Sequence, residues 1–226
     1  MNGFARGGPE LKIAKLSKDT LQDRVYRQLS DMILDGGIAP GQLVKLQAIA
    51  DAFGVSPMPV REALRRLTAE NALTVVYGRS IGIPPLSRAK LADLKDVRIE
   101  VETIAAGWAA QRVTPAALSN LATHLDELRS ANARGDVKAF LRANHNFHFT
   151  IYDAAGSRTL LSIIENLWLQ VSPYFNLLHD SGNYNSANEQ HLAMYEALKS
   201  RSAQSLKTAV REDIEAAYRV LETLLD

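Results

Sequence analysis

Apolar residues recur along this chain at helical spacing, and the interruptions in that spacing mark its elements. In 20–34 (TLQDRVYRQLSDMIL), Leu21, Val25, Leu29 and Ile33 share one helical face, and Gly36-Gly37 ends the helix. A tight Ala39-Pro40-Gly41 turn leads into LQAIADAFGVSPMPVREALRRLTAENAL. Two short helices are predicted there, with Ala50 at their close approach and Gly54 in the turn between them. Ser56 offers an N-cap oxygen and Pro57 stands at the first helical position. Val60, Ala63, Leu64 and Leu67 form the buried face of the second helix, with Arg61 and Arg65 on its other side. The β-prone run 73–77 and a turn at Gly78-Arg79-Ser80-Ile81-Gly82 predict a two-stranded wing. Beyond Ser87 the pattern is helical, broken at Thr114-Pro115, Gly135, Gly156-Ser157 and Asp180–Asn185. The expected fold is mainly α: a loose tail over 1–17, a winged helix-turn-helix with a small β wing over 18–84, and an all-α bundle of six or seven helices over 85–226.

The helix-Gly-helix spacing is that of a helix-turn-helix, whose second helix is built to enter a major groove. An arginine at the wing tip, Arg79, is positioned for phosphates or the minor groove. The alternative is an ordinary helical domain, in which exposed arginine pairs are simply solvated.

Composition constrains the chemistry. The 226 residues are 46% apolar and 23% charged, an ordinary globular balance. There is no cysteine, which excludes disulfides, thiolate metal sites and cysteine nucleophiles. No apolar run approaches the roughly 18 residues of a membrane span, and the start has no signal-peptide core. A cytoplasmic protein without a membrane partner is expected. The formal net charge of +1 speaks against a uniformly basic nucleic-acid coat, yet it is uneven: net +3 over 1–85 and −2 over 86–226.

In the helical half, polar residues interrupt the apolar stripes. One inner face reads Phe140, Asn144, Phe147, His148, Ile151; a second His191, Met194, Tyr195, Leu198; a third Leu206, Val210, Asp213, Ala217, Val220, Leu224. Three helices thus turn a histidine, amide or carboxylate toward one core, where such groups must be paired or hold a cation. Two imidazoles, a carboxylate and an amide oxygen suit a divalent ion such as Zn²⁺, Ni²⁺ or Mn²⁺. A self-satisfied buried network of the same residues is the alternative. Arg98 and Glu102, at i and i+4, are read with this site: Arg98 can fork onto Glu102 or onto an acidic ligand. His124, His145 and His179 read as surface or loop residues, Trp108 and Trp168 as core, and 179–190 as a polar loop.

The stretch GVSPMPVREALRRLTAENAL, preceded by GGIAPGQLV, resembles the winged helix of GntR-type bacterial transcription regulators. The resemblance implies operator DNA as partner, with Arg61 on the recognition helix, Ser56 and Met58 at its phosphate and groove edge, and Gly78-Arg79 in the wing. Two positions depart from the family: Pro57 follows Ser56 where an arginine is expected, and Gln47 stands where some members carry arginine. Both bear on which operator is read.

Residues 90–222 resemble the FCD ligand-sensing domain of the FadR subfamily, through Arg98-x-x-Val101-Glu102, Asn144-x-x-Phe147-His148, His191 and the position 22 residues beyond it. Metal-binding members have aspartate at the first of those motif positions and histidine at the last, where this chain has Asn144 and Asp213. The carboxylate and the neutral donor have exchanged places, so the formal ligand charge stays at −1. The resemblance implies a homodimeric repressor whose two winged helices engage half-sites, and whose DNA binding is altered by a small organic acid bridging the metal and Arg98. Two rival classes remain: a metal-dependent enzyme using the two-histidine, one-carboxylate set, and a dimerising adaptor that senses nothing.

Overall fold

The computed structural model describes residues 20–77, 80–179 and 183–225; the predicted 1–17 tail lies outside them. Helix α1 (Leu21–Leu34) starts at Thr20, whose hydroxyl accepts from the Asp23 amide while the Asp23 carboxylate accepts from the Thr20 N–H. Val25, Leu29 and Ile33 are buried as their spacing requires; Leu21, in the first turn, extends past the packed face and is exposed.

Strand β1 (Leu43–Val44), helix α2 (Leu46–Phe53), helix α3 (Pro57–Ala69) and strands β2 (Thr74–Tyr77) and β3 (Ser80–Gly82) follow. Gly54 ends α2 at φ 64°, the left-handed conformation that favours glycine, and so makes the turn of the helix-turn-helix. Ser56 occupies the N-cap of α3 without a side-chain capping bond, and Pro57 opens the helix. The wing has three strands where two were expected. Its order is β1-β3-β2, antiparallel throughout, with Leu43 opposite Gly82 and Val44 opposite Ile81. A Cβ on Gly82 would sit 2.7 Å from the Gln42 carbonyl oxygen, so a residue without one lets β1 close on β3.

The remaining chain forms α4 (Arg88–Arg112), α5 (Pro115–Arg134), α6 (Val137–Ala154), α7 (Arg158–Val171), a 3₁₀ segment (Ser172–Leu178), α8 (Asn183–Lys199) and α9 (Ala203–Thr223). Ser87, Thr114, Asp136, Ser157 and Ser202 each cap a helix by accepting from the third amide beyond. Helix α8 starts at Asn183, so most of the stretch read as a polar loop is helical. Helix α9 lies along α4 and α8, where Ala105, Ala106, Ala109 and Ala110 are buried on α4. On α9 the buried face is Leu206, Val210, Ile214, Tyr218 and Leu221. Leu224, assigned inward by its spacing, falls past the helix end and is exposed. Trp108 is also 43% exposed, contrary to its reading as core, whereas Trp168 is buried.

Candidate functional site

Helix α6 turns Phe140, Phe147, His148, Ile151 and Tyr152 into the core, with Asn144 half-buried one turn before His148. His191 comes from α8 and Asp213 from α9. The Nε2 atoms of His148 and His191 are 3.1 Å apart. Asp213 lies 3.5 Å from His148 Nε2 through Oδ2 and 3.8 Å from His191 Nε2 through Oδ1. One ligand atom from each of the three therefore fits within 4.8 Å of the others. Two imidazole nitrogens at tetrahedral bonds of 2.0–2.1 Å stand about 3.3 Å apart around zinc, close to the observed separation. The donor set fits a divalent ion.

Behind the histidines is a sealed polar cluster centred on Glu102. Arg98 Nε donates to Oε1 at 2.6 Å and Nη2 to Oε2 at 3.2 Å, a two-point fork within α4. Trp168 Nε1–H donates to Oε1 at 3.2 Å, and the Tyr152 hydroxyl donates to Oε2. Because Tyr152 spends its proton on Glu102, its oxygen accepts from His148 Nδ1–H at 3.1 Å. His148 is thereby held as the Nδ1–H tautomer, and its Nε2 lone pair faces His191 and Asp213.

Burial sets the charge states. It drives the His148 pKa well below the ordinary histidine value, and takes His191 down to about 3. Both are neutral donors. Burial also raises the Asp213 carboxyl to about 7, opposed by the charge of Arg98 and reinforced by that of Glu102. Burial alone would lower the Arg98 pKa, but the charge and hydrogen bonds of Glu102 hold it above the ordinary arginine value. A cavity of about 30 Å³, room for about one water molecule, adjoins the site. Arg98, Asn144 and Asp213 line its polar side; Phe140, Trp168 and Phe175 are among its apolar walls.

The structure thus brings Arg98, Glu102, Asn144, His148, His191 and Asp213 together. Tyr152 and Tyr218, which the sequence does not single out, also belong here, as does Trp168, read from sequence only as core; the Tyr218 ring lies 5.8 Å from the Arg98 guanidinium. Tyr152 follows His148 by four residues, so its place on the inner face was readable, but its bond to a residue 50 positions earlier was not. His145, read as a surface residue, is half-buried, stacks on Phe149 at 4.1 Å and has its pKa lowered to about 4 by burial.

The reader elements form a separate face. Val60, Ala63, Leu64 and Leu67 anchor α3, leaving Met58, Arg61 and Arg65 exposed on its outer side. Arg65 pairs with Glu62 at 2.7 Å and Gln47 on α2 bonds Asp51 at 2.8 Å. Ser56 is exposed at the N-terminal end of α3. Gly78 and Arg79 lie outside the described residues.

Comparison with known proteins matches both halves. Residues 21–83 match the model of bacterial regulatory proteins of the gntR family, and residues 93–216 match the FCD domain. The HTH-type transcriptional regulator McbR of Escherichia coli K12 is 28% identical over 92% of this chain and 95% of its own length. The HTH-type transcriptional repressor RspR of the same strain is 26% identical, covering 86% of each chain. The solved structure of E. coli McbR/YncC superposes with a TM-score of 0.85 at 26% identity, over 92% of this chain and 100% of the other.

Proposed function

The chain belongs to the GntR family of bacterial regulators that carry an FCD domain, and on that premise we propose that it is a repressor whose operator affinity is set by a small carboxylate held in the helical domain. It is a DNA-binding transcriptional regulator and not an enzyme. The reading assigns 18–84 to DNA and 85–226 to sensing and self-association, and a cytoplasmic site of action. Among the described residues no helix is long and apolar enough to cross a membrane.

The observation that carries the reading of DNA is α3, whose outer side presents Met58, Arg61 and Arg65 on a helix seated by five buried residues. Arg61 is assigned to a base edge in the major groove and Arg65 to phosphate, which requires it to exchange Glu62 for the DNA. Gln47 and Ser56 flank the groove, and Gly78 and Arg79, the wing turn read from sequence, are assigned to the adjacent backbone.

For sensing, His148 Nε2, His191 Nε2 and an Asp213 oxygen would hold a divalent ion (Zn, Ni or Mn), with Asn144 as a further donor. Such an ion would supply a Lewis-acidic anchor for a carboxylate. Arg98 orients the acid from the other side, and Glu102 keeps the guanidinium in place. The effector changes DNA binding only as far as it prefers one arrangement of the protein.

Self-association is supported by an apolar stripe on the outer side of α4. Val97, Ile104 and Trp108 are each over 40% exposed and Val101 is half-buried beside them. A two-fold axis crossing α4 between Glu102 and Thr103 would set Val97 against Trp108, Val101 against Ile104 and Asp93 against Arg112. The stripe would thus pair apolar with apolar residues and an acid with a base, as an interface between two copies requires.

Titrating fluorescent duplexes selected from a random pool, over a salt series, tests the reading together with elemental analysis of the chelator-free protein. Salt-sensitive, sequence-selective binding with a stoichiometric divalent metal is expected. Absence of DNA binding defeats the regulator reading; DNA binding without metal defeats only the metal-bridged sensor and leaves the buried network.

A further inference from the structure

One short stretch of chain forms both a wall of the sensor cavity and the seat of the DNA-reading elements. Between Asn166 and Leu178, Trp168, Phe175 and Leu178 line the cavity next to Arg98. From the same stretch, Asn166 Nδ2 donates to the Glu70 carbonyl at the end of α3, 3.2 Å away. The Tyr174 hydroxyl donates to the Pro84 carbonyl where the chain leaves the wing. Asn176 Nδ2 donates to the Gly36 carbonyl just beyond α1, also at 3.2 Å.

The 3₁₀ geometry explains how one rod serves both sides. With three residues per turn, Phe175 and Leu178 fall on one face and Tyr174 and Asn176 on the other two. Neither side has slack. Gly36 sits at φ +73°, and a Cβ there would come within 2.4 Å of the Asn176 side chain. The cavity holds about one water molecule, so a larger occupant must displace a wall.

We infer that residues 166–178 are the element through which occupancy of the sensor cavity resets the reader, with Tyr174 and Asn176 as positioning residues acting through Pro84 and Gly36. The inference rests on the regulator reading above. Any displacement of Phe175 and Leu178 carries Tyr174 and Asn176 with it, and the orientation of α1 and the wing follows. Close packing makes such a shift stepwise rather than gradual.

A double-mutant cycle on the full chain tests this without a known effector. Ala217 lines the cavity from α9, so Ala217→Leu serves as the built-in occupant. Affinity for a duplex selected on the parent protein is measured in the parent and in a Tyr174→Phe, Asn176→Ala background. Ala217→Leu is expected to change the Kd at least about five-fold in the parent and less than two-fold in the background. The same fold-change in both, or none in the parent, overturns the inference. If Ala217→Leu does not fold, Ala187→Val replaces it. Amide exchange of the Ile33–Ile38 turn is followed in parallel: the cavity substitution is expected to alter it in the parent only. Unaltered exchange in the parent overturns the inference even if no duplex binds, whereas loss of DNA binding alone overturns the regulator reading.

Discussion

Arg98 and Glu102 face each other across one turn of α4 with the guanidinium and carboxylate paired at both ends, and both are buried. Removing one member of such a pair leaves a charge in the core without its counterion, which costs about 3–5 kcal/mol. Glu102→Ala and Arg98→Ala should each lose about that much unfolding free energy in urea. The paired replacement Arg98→Met, Glu102→Leu should lose clearly less than the sum, because no charge is stranded. Strict additivity would show the two groups to be independent.

Asp213 makes the metal-free protein sensitive to pH. Its carboxyl holds its proton up to about 7 in the folded chain against 3.8 ordinarily. The stability tied to that proton is complete below 3.8 and is lost as pH rises through about 7. In chelator, the parent should therefore fall by a few kcal/mol relative to Asp213→Asn between pH 4 and pH 8. His191, lowered to about 3, acts in the opposite sense and is present in both proteins, so it cancels. With saturating Zn²⁺ at pH 8 the order should reverse, since only the parent keeps the carboxylate donor. Parallel pH curves for the two proteins would remove Asp213 from this role.

On α3 the two arginines should fail differently. Arg61→Ala is expected to weaken the selected duplex by about ten-fold or more and to relax preference at one base pair. Arg65→Ala should weaken all duplexes alike and reduce the salt slope by about one. Binding titrations over a salt series separate the two outcomes; identical behaviour would contradict the assignment.

The α4 stripe predicts that a charge placed within it is disruptive. Val101→Asp and Trp108→Glu should give monomers by sedimentation velocity, with helical content unchanged and operator affinity reduced at least about ten-fold by loss of the second half-site. A dimer that survives both substitutions places the interface elsewhere.

How much of this was legible follows from what is local. Gly54, Thr114, Gly135 and Ser157 announce turns and caps because each acts within four residues of itself. The inner faces of α6 and α8 follow from helical period, which is why His148 and His191 could be paired from sequence. Strand β1 could not be seen: two residues carry no alternation, and their pairing with β3 is decided nearly 40 positions away. Trp108 misleads for a related reason. Its period marks an apolar face, but period cannot say whether that face meets the same chain. The Glu102 cluster draws on α4, α6 and α7, and no spacing within one helix reports that convergence.

The small size of the cavity beside Arg98 has a kinetic meaning. An acid of several heavy atoms enters only molecules that have already opened, so its apparent affinity is its intrinsic affinity scaled by the open fraction. Its association rate should then level off with concentration at the opening rate rather than climb toward the diffusion limit. The regulator would answer to acid that persists longer than the opening time, and briefer pulses would pass unrecorded.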